Sequence, residues 1–290
     1  MKIAFVFTFV LLLSVGIHAG FAPPVLTGRL VFTGGTEKGR GIIGVDLHPL
    51  KVSLIFPNSS SCVFFTPNQC FSGGLLTVRE TINTGSCDLI KYDLHCNATV
   101  LAGGFPGRVA LPCAIDRDTI LLSHKKSEGR FEVLSLTNNQ LRSTPIETSH
   151  FVRFSLVRSV KPAIIVFCVQ GRAYASDLQL HTIRDLCASQ EASVGAYSNR
   201  LYLQLSPREI GVATLEGVIG NRFRSQWPVL SIASSPDGRY VALLCAKTLN
   251  NLTAGYNIAV YTYEGTRVLD VADTFIEAHA DLTWIDCAKM

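Results

Sequence analysis

The sequence predicts an all-β fold, a six-bladed β-propeller, and three observations predict it. A pair of short apolar strands recurs six times along the 290 residues. Helical periodicity is scarce, the best stretch being a short and loosely patterned one from Leu178 to Leu186. The end of the chain carries an extra strand that complements a strand missing near its beginning.

The first strand of each pair is a nearly continuous apolar run. The runs begin at Leu30, Leu75, Thr119, Ala163, Leu201 and Tyr240, between 38 and 45 residues apart. The second strand alternates more and ends on Asp-Leu or a relative of it. Its copies are Ile42–Leu47, Leu89–Leu94, Phe131–Leu136, Ala173–Leu178, Ile210–Leu215 and Asn257–Thr262. A period near 40 to 45 residues suits a blade of four strands, labelled a to d from the channel outward. Strand b is apolar on both faces because blades stack on either side of it, and strand c is more polar. Turn chemistry separates the strands at Gly34-Gly35, Asn83-Thr84-Gly85, Asn138-Asn139, Pro236-Asp237-Gly238 and Glu264-Gly265.

The first b strand, Leu30–Thr33, leaves no room for an a strand before it. The last segment, Asp281–Asp286, follows the sixth blade and is expected to supply that inner strand, closing the ring and removing two free sheet edges. Residues 20–290 are therefore expected to form a single propeller domain. A β-sandwich or two small β domains would not account for six similar periods with complementary ends.

The sixth blade reads Ser234-Ser235-Pro236-Asp237-Gly238-Arg239-Tyr240-Val241-Ala242-Leu243. This resembles the Ser-Pro-Asp-Gly hairpin of TolB-like and WD40-like propellers, with Pro-Asp-Gly as the turn between strands a and b. The resemblance covers about ten residues and the other blades lack it; Thr66-Pro67-Asn68 and Ile115-Asp116-Arg117-Asp118 keep a turn there without the motif. It implies a fold and leaves function open.

The opening residues are expected to be a cleavable signal peptide, residues 1–19. Lys2, an apolar run from Ile3 to Ile17 and the small residues Ala19 and Gly20 are its parts. The run is shorter than the roughly 20 residues a membrane-spanning helix needs. An uncleaved anchor is the alternative. Secretion would expose the sequons at Asn58, Asn97 and Asn251 to glycosylation. The formal charge is +4 with 17% charged residues, and no basic run exceeds His124-Lys125-Lys126, so nothing points to nucleic acid or to a membrane surface.

Nine cysteines in an oxidising compartment make disulfides the default, with at least one thiol left over. In a propeller the d-to-a and b-to-c loops share one face, and the a-to-b and c-to-d loops the other. On that map Cys62 pairs with Cys87 and Cys70 with Cys96, the local Cys62–Cys70 bond being the rival; Cys168 with Cys187 is a third pair. Cys113, Cys245 and Cys287 read as small core residues.

Function is less legible. The loop-rich face offers Glu37, Glu80, His124 and Glu128 as candidate metal ligands, with solvated loop charges as the alternative reading. The histidines show no i,i+4 pairing, and no Gly-x-Ser-x-Gly elbow or phosphate-cradling loop occurs, so no catalytic residue is assigned. Trp284 reads as core, with lining of the channel as the alternative. Three expectations follow: an extracellular binding module for a protein or glycan ligand with no cofactor, a secreted calcium-dependent hydrolase of lactonase or esterase type, or a lumenal assembly partner held through the odd cysteine.

Overall fold

The computed structural model describes residues 26–69, 74–93, 97–105, 107–126, 129–138, 140–249, 252–279 and 281–286. Its architecture is all-β, with six antiparallel sheets arranged as the six blades of a propeller. The expected signal peptide lies outside the described residues, as do Cys70, Cys96, Glu128, Asn251 and Cys287. Among the described residues no helix is long and apolar enough to cross a membrane.

Blade one holds β1 (Arg29–Thr36), β2 (Gly39–Leu47) and β3 (Leu50–Pro57). Blade two runs β4 (Cys62–Gln69), β5 (Leu75–Thr81), β6 (Ser86–Tyr92) and β7 (Ala98–Phe105). Blade three is β8 (Arg108–Ala114), β9 (Thr119–Lys125), β10 (Phe131–Thr137) and β11 (Gln140–Thr148). Blade four is β12 (Phe154–Val157), β13 (Ile164–Val169), β14 (Arg172–Ser176) and β15 (Ile183–Ala188). Blade five is β16 (Ala192–Val194), β17 (Arg200–Ser206), β18 (Glu209–Thr214) and β19 (Ile219–Arg224). Blade six is β20 (Val229–Ser234), β21 (Tyr240–Leu249), β22 (Leu252–Thr262) and β23 (Arg267–Phe275).

The chain then returns to blade one. β24 (Glu277–Ala278) and β25 (Thr283–Ile285) both pair antiparallel with β1, Gly34 opposite Ala278 and Leu30 opposite Trp284. The expected closure is thus made, in two short pieces rather than one. Gly34 permits it: a Cβ there would lie 2.5 Å from the Glu277 carbonyl oxygen.

The core is divided among the blade interfaces. Leu30, Phe32 and Trp284 pack against Leu244, Ile258 and Val260 between blades one and six. Val78 and Leu89 meet Val109 and Leu122 between blades two and three, and Leu201 and Leu203 meet Val166 and Ala175 between five and four. Each b strand contributes to the cluster on either side of it, which is why those runs are continuously apolar. Burying such side chains away from water drives assembly of the ring.

Candidate ligand cavity at the channel mouth

The ring is closed at its centre by polar clasps. Asp281, which precedes β25, is only 3% exposed. Its Oδ1 accepts the Thr33 backbone N–H at 2.8 Å, and its Oδ2 accepts the Thr33 hydroxyl and the Thr66 backbone N–H. This one carboxyl ties the closing segment to β1 and to β4 of the next blade. Burial pushes its pKa up, against the hydrogen bonds from Thr33 and the charge of Arg153. Across the channel, Arg153 donates from Nη1 to Glu191 Oε1 at 2.7 Å, to Ser231 Oγ at 2.7 Å and to the Leu282 carbonyl at 3.0 Å. Glu191 Oε2 accepts the Ile232 N–H at 3.1 Å. Blades four, five and six and the closing segment meet at these groups. Burial raises the Glu191 carboxyl too, while Arg153 pulls it back.

Beside the Asp281 clasp lies a cavity of about 550 Å³. It opens on the face of the d-to-a and b-to-c loops, within blades one to three. Arg40, Asn58 and Arg108 stand at its rim; Val63, Phe65, Ala110, Leu111 and Phe151 form an apolar wall; Thr33, Thr66 and Asp281 lie deeper, and His150, Glu277 and His279 complete the lining. A cavity of this size, apolar with a few convergent polar groups, is the usual form of a small-molecule site. A second cavity of about 160 Å³ opens on the other face, lined in part by Asn68, Arg153, Ser193, Ser234 and Trp284.

Two backbone distortions shape the larger cavity. Thr66 and Leu111 occupy matching places in β4 and β8, with φ of 51° and 52°. Each precedes a proline, and the ladder to the next strand shifts register at each, between Phe65 and Asn68 and between Ala110 and Cys113. A β-branched or bulky residue at positive φ is a costly conformation, and such bulges occur beside functional sites. The Thr66 side-chain hydroxyl is buried and has no hydrogen-bond partner among the described residues.

The sequence candidates for a metal are not brought together. Glu37 lies exposed in the turn between β1 and β2. Glu80 faces Arg108 at 3.9 Å. His124 belongs to β9 rather than to a loop, is 6% exposed, and bonds through Nδ1 to Glu132 at 3.0 Å. Burial opposes the Glu132 charge, but hydrogen bonds from His124, Lys126 and Ser143 outweigh it and hold the carboxyl below its usual range. Among the described residues no three His, Cys, Asp or Glu side chains group as a metal site.

The structure places Cys62, Cys87, Cys168 and Cys187 in the following rows, while Cys70 and Cys96 lie outside the described residues. Cys62 shares a row with Thr81 and Ser86, whereas Cys87 shares the next row with Val63 and Glu80. Adjacent rows point to opposite faces, so the two sulfurs diverge. Cys168 and Cys187 do share a row, on either side of Ala173. Two strand spacings, about 9.5 Å, exceed the roughly 7 Å a disulfide allows. All four are free thiols. Cys113 and Cys245 are buried, and burial pushes both thiols up to about 12.

Of the sequon asparagines, Asn58 is half-buried, and its Oδ1 accepts the Phe64 N–H at 2.9 Å. Asn97 is exposed, and its side-chain amide donates to Asp93. The Pro-Asp-Gly turn lies on the opposite face from the large cavity and is structural. Ser235 Oγ donates to Asp237 at 2.7 Å, Gly238 adopts φ of 67°, and the Tyr202 hydroxyl of blade five donates to the Gly238 carbonyl at 2.9 Å. Trp284 does both things considered for it: it joins the core between blades one and six and lines the smaller cavity.

The fold is that of a six-bladed β-propeller. No family model and no curated protein sequence matches the chain. Solved structures do. A protein of unknown function from Bacteroides caccae superposes with a TM-score of 0.58 at 11% identity, over 89% of this chain and 99% of that one. A putative TolB from Agrobacterium tumefaciens gives 0.55 at 12% identity, over 88% and 92%. A prolyl endopeptidase gives 0.52 at 13% identity, over 87% of this chain and 42% of that one. At such identities the likeness is one of fold.

Proposed function

We propose that the protein is a secreted propeller that serves as a binding module, holding a small ligand in the cavity at the channel mouth of blades one to three. The carrying observation is that cavity: about 550 Å³, walled by β4 and β8 at their bulges and backed by the Asp281 clasp. Closed rings of this kind hold loops and inner strands in fixed positions, so little ordering cost remains to oppose binding. Secretion is supported by the charged, apolar and small-residue parts of residues 1–19 and by the sequons.

The test is a small-molecule screen by ligand-observed NMR against the full chain and a Leu111→Trp variant. Leu111 is half-buried on the cavity wall, and the indole should occupy the space. Compounds that bind the wild type should lose binding at least tenfold in the variant. Unchanged binding in a variant with an unchanged melting curve would overturn the site. For secretion, expression in a eukaryotic secretory host should release protein beginning at Gly20; material that stays cell-bound with Met1 intact would count against it.

A further inference from the structure

We propose that the mouth cavity takes an amphiphile with a single anionic head, the charge at Arg108 and the apolar body against the inner strands of blades two and three. This rests on reading the cavity as the ligand site. The cavity is two-sided. Its apolar wall comes from β4 and β8: Val63 and Phe65 from the first, Ala110 and Leu111 from the second. The facing side comes from blade one and the closing segment, which supply Arg40, Glu277, His279 and Asp281.

The charges do not cancel evenly over these two sides. Arg40 lies 2.8 Å from Glu277 Oε2 as an ion pair, without an aligned hydrogen bond to that oxygen among the described residues, and His279 faces Oε1 at 3.5 Å. Asp281 is occupied by the Thr33 and Thr66 donors. Arg108 differs. Its guanidinium lies 4.6 Å from the Phe65 ring centroid, its side chain is 51% exposed, and its carboxylate neighbour, Glu80, stands at 3.9 Å and outside the cavity lining. A cation stacked on an aromatic ring at the edge of an apolar wall suits a ligand with an acidic group attached to a hydrocarbon or aromatic frame.

Thr66 adds an independent sign. It lines the cavity, is 9% exposed, and its hydroxyl is without a partner among the described residues. Buried polar groups are normally satisfied, and a bound polar atom would complete this one. A cationic ligand would meet Arg40 and Arg108. A wholly apolar ligand would strip water from Arg108 and leave the Thr66 hydroxyl unmatched, both at a cost. A polyanion would require more guanidinium groups than the one left over.

The test uses two fluorescent probes with one ring frame: 8-anilinonaphthalene-1-sulfonate, and N-phenyl-1-naphthylamine, which lacks the sulfonate. The full chain should bind the sulfonate at one saturable site at least tenfold tighter than the amine. Arg108→Met should weaken the sulfonate about tenfold and leave the amine unchanged, Arg108→Lys should restore part of the loss, and Glu80→Gln should tighten the sulfonate by removing a competitor. Equal affinity for the two probes in the wild type, or a sulfonate affinity indifferent to Arg108→Met, would overturn the proposal. The two levels separate cleanly. Loss of both probes in Leu111→Trp with no response to Arg108→Met rejects the anionic head and keeps the cavity as the site. Both probes binding normally to Leu111→Trp rejects the cavity itself.

Discussion

The inner strands of blades two and three contrast with those of blades five and six. In the second pair the strands are sewn together by polar groups: Ser193 Oγ accepts the Ser234 N–H at 2.9 Å, and Glu191 joins Ser231 and Ile232. In the first pair, β4 and β8 meet at their lower ends, where Asn68 Nδ2 donates to the Pro112 carbonyl at 2.6 Å, and the cavity lies above that contact. The chemistry of the residues explains the difference. Pro67 and Pro112 have no N–H to donate, and the residues before them turn into a left-handed backbone that breaks the ladder. Short hydroxyl side chains join the inner strands of blades five and six, beside the smaller cavity of the other face. Prolines with apolar neighbours hold the larger cavity open.

The largest effect that should sharpen this contrast is at the clasp. Asp281→Ala leaves the Thr33 N–H and hydroxyl buried without their carboxylate acceptor, while the Thr66 N–H keeps Thr33 Oγ1, and should cost about 3 kcal/mol in urea denaturation. It should also weaken the sulfonate probe, since β4 loses its tie to Asp281 beside the cavity and keeps the one from Thr283 Oγ1 to the Pro67 carbonyl. The matching change in blades five and six is Gly238→Ala. A Cβ there would lie 1.8 Å from Ser198 Oγ at a φ of 67°, and the expected cost is about 2–3 kcal/mol. Probe binding should be untouched. If Gly238→Ala abolished binding while the protein remained folded, the two pairs of blades would not be functionally distinct.

A smaller effect is expected in the pH dependence of stability. Burial raises the Asp281 pKa in the folded protein above its unfolded value. Such an acid contributes stability that is complete below the ordinary aspartate range, near 4, and is lost as pH rises through the raised value. Stability should therefore decline on that upward limb. Asp281→Asn, which cannot ionise, should reduce the decline without abolishing it, because Glu191 is shifted in the same direction. An Asn variant with the same slope as the wild type would show that Asp281 keeps an ordinary pKa.

Much of the ring was legible in the sequence because blade stacking imposes a long-range period on apolar strands. The closure was legible because an unmatched strand at each end, Leu30–Thr33 and Asp281–Asp286, left one place for both. The rows that Cys62 and Cys87 occupy were not. Assigning Cys62 and Cys87 to one end of blade two ignores that a single step of register reverses the face. His124 reads as a loop residue in the sequence because β9 runs past its apolar part to Lys125. The cavity joins Thr33, Thr66 and Asp281, residues from β1, β4 and the closing segment, which no local spacing could bring together. One signal was present: Thr66-Pro67 and Leu111-Pro112 stand one blade repeat apart in inner strands, where a proline within a strand marks a bulge or an edge.

Hydrogen exchange with and without saturating 8-anilinonaphthalene-1-sulfonate tests the central claim most directly. The probe should slow exchange in peptides covering residues 62–69 and 108–114, and leave residues 192–206 and 229–244 unchanged. Protection confined to the blade five and six peptides, or no protection of either inner strand of blades two and three at full occupancy, would contradict a ligand site at their bulges.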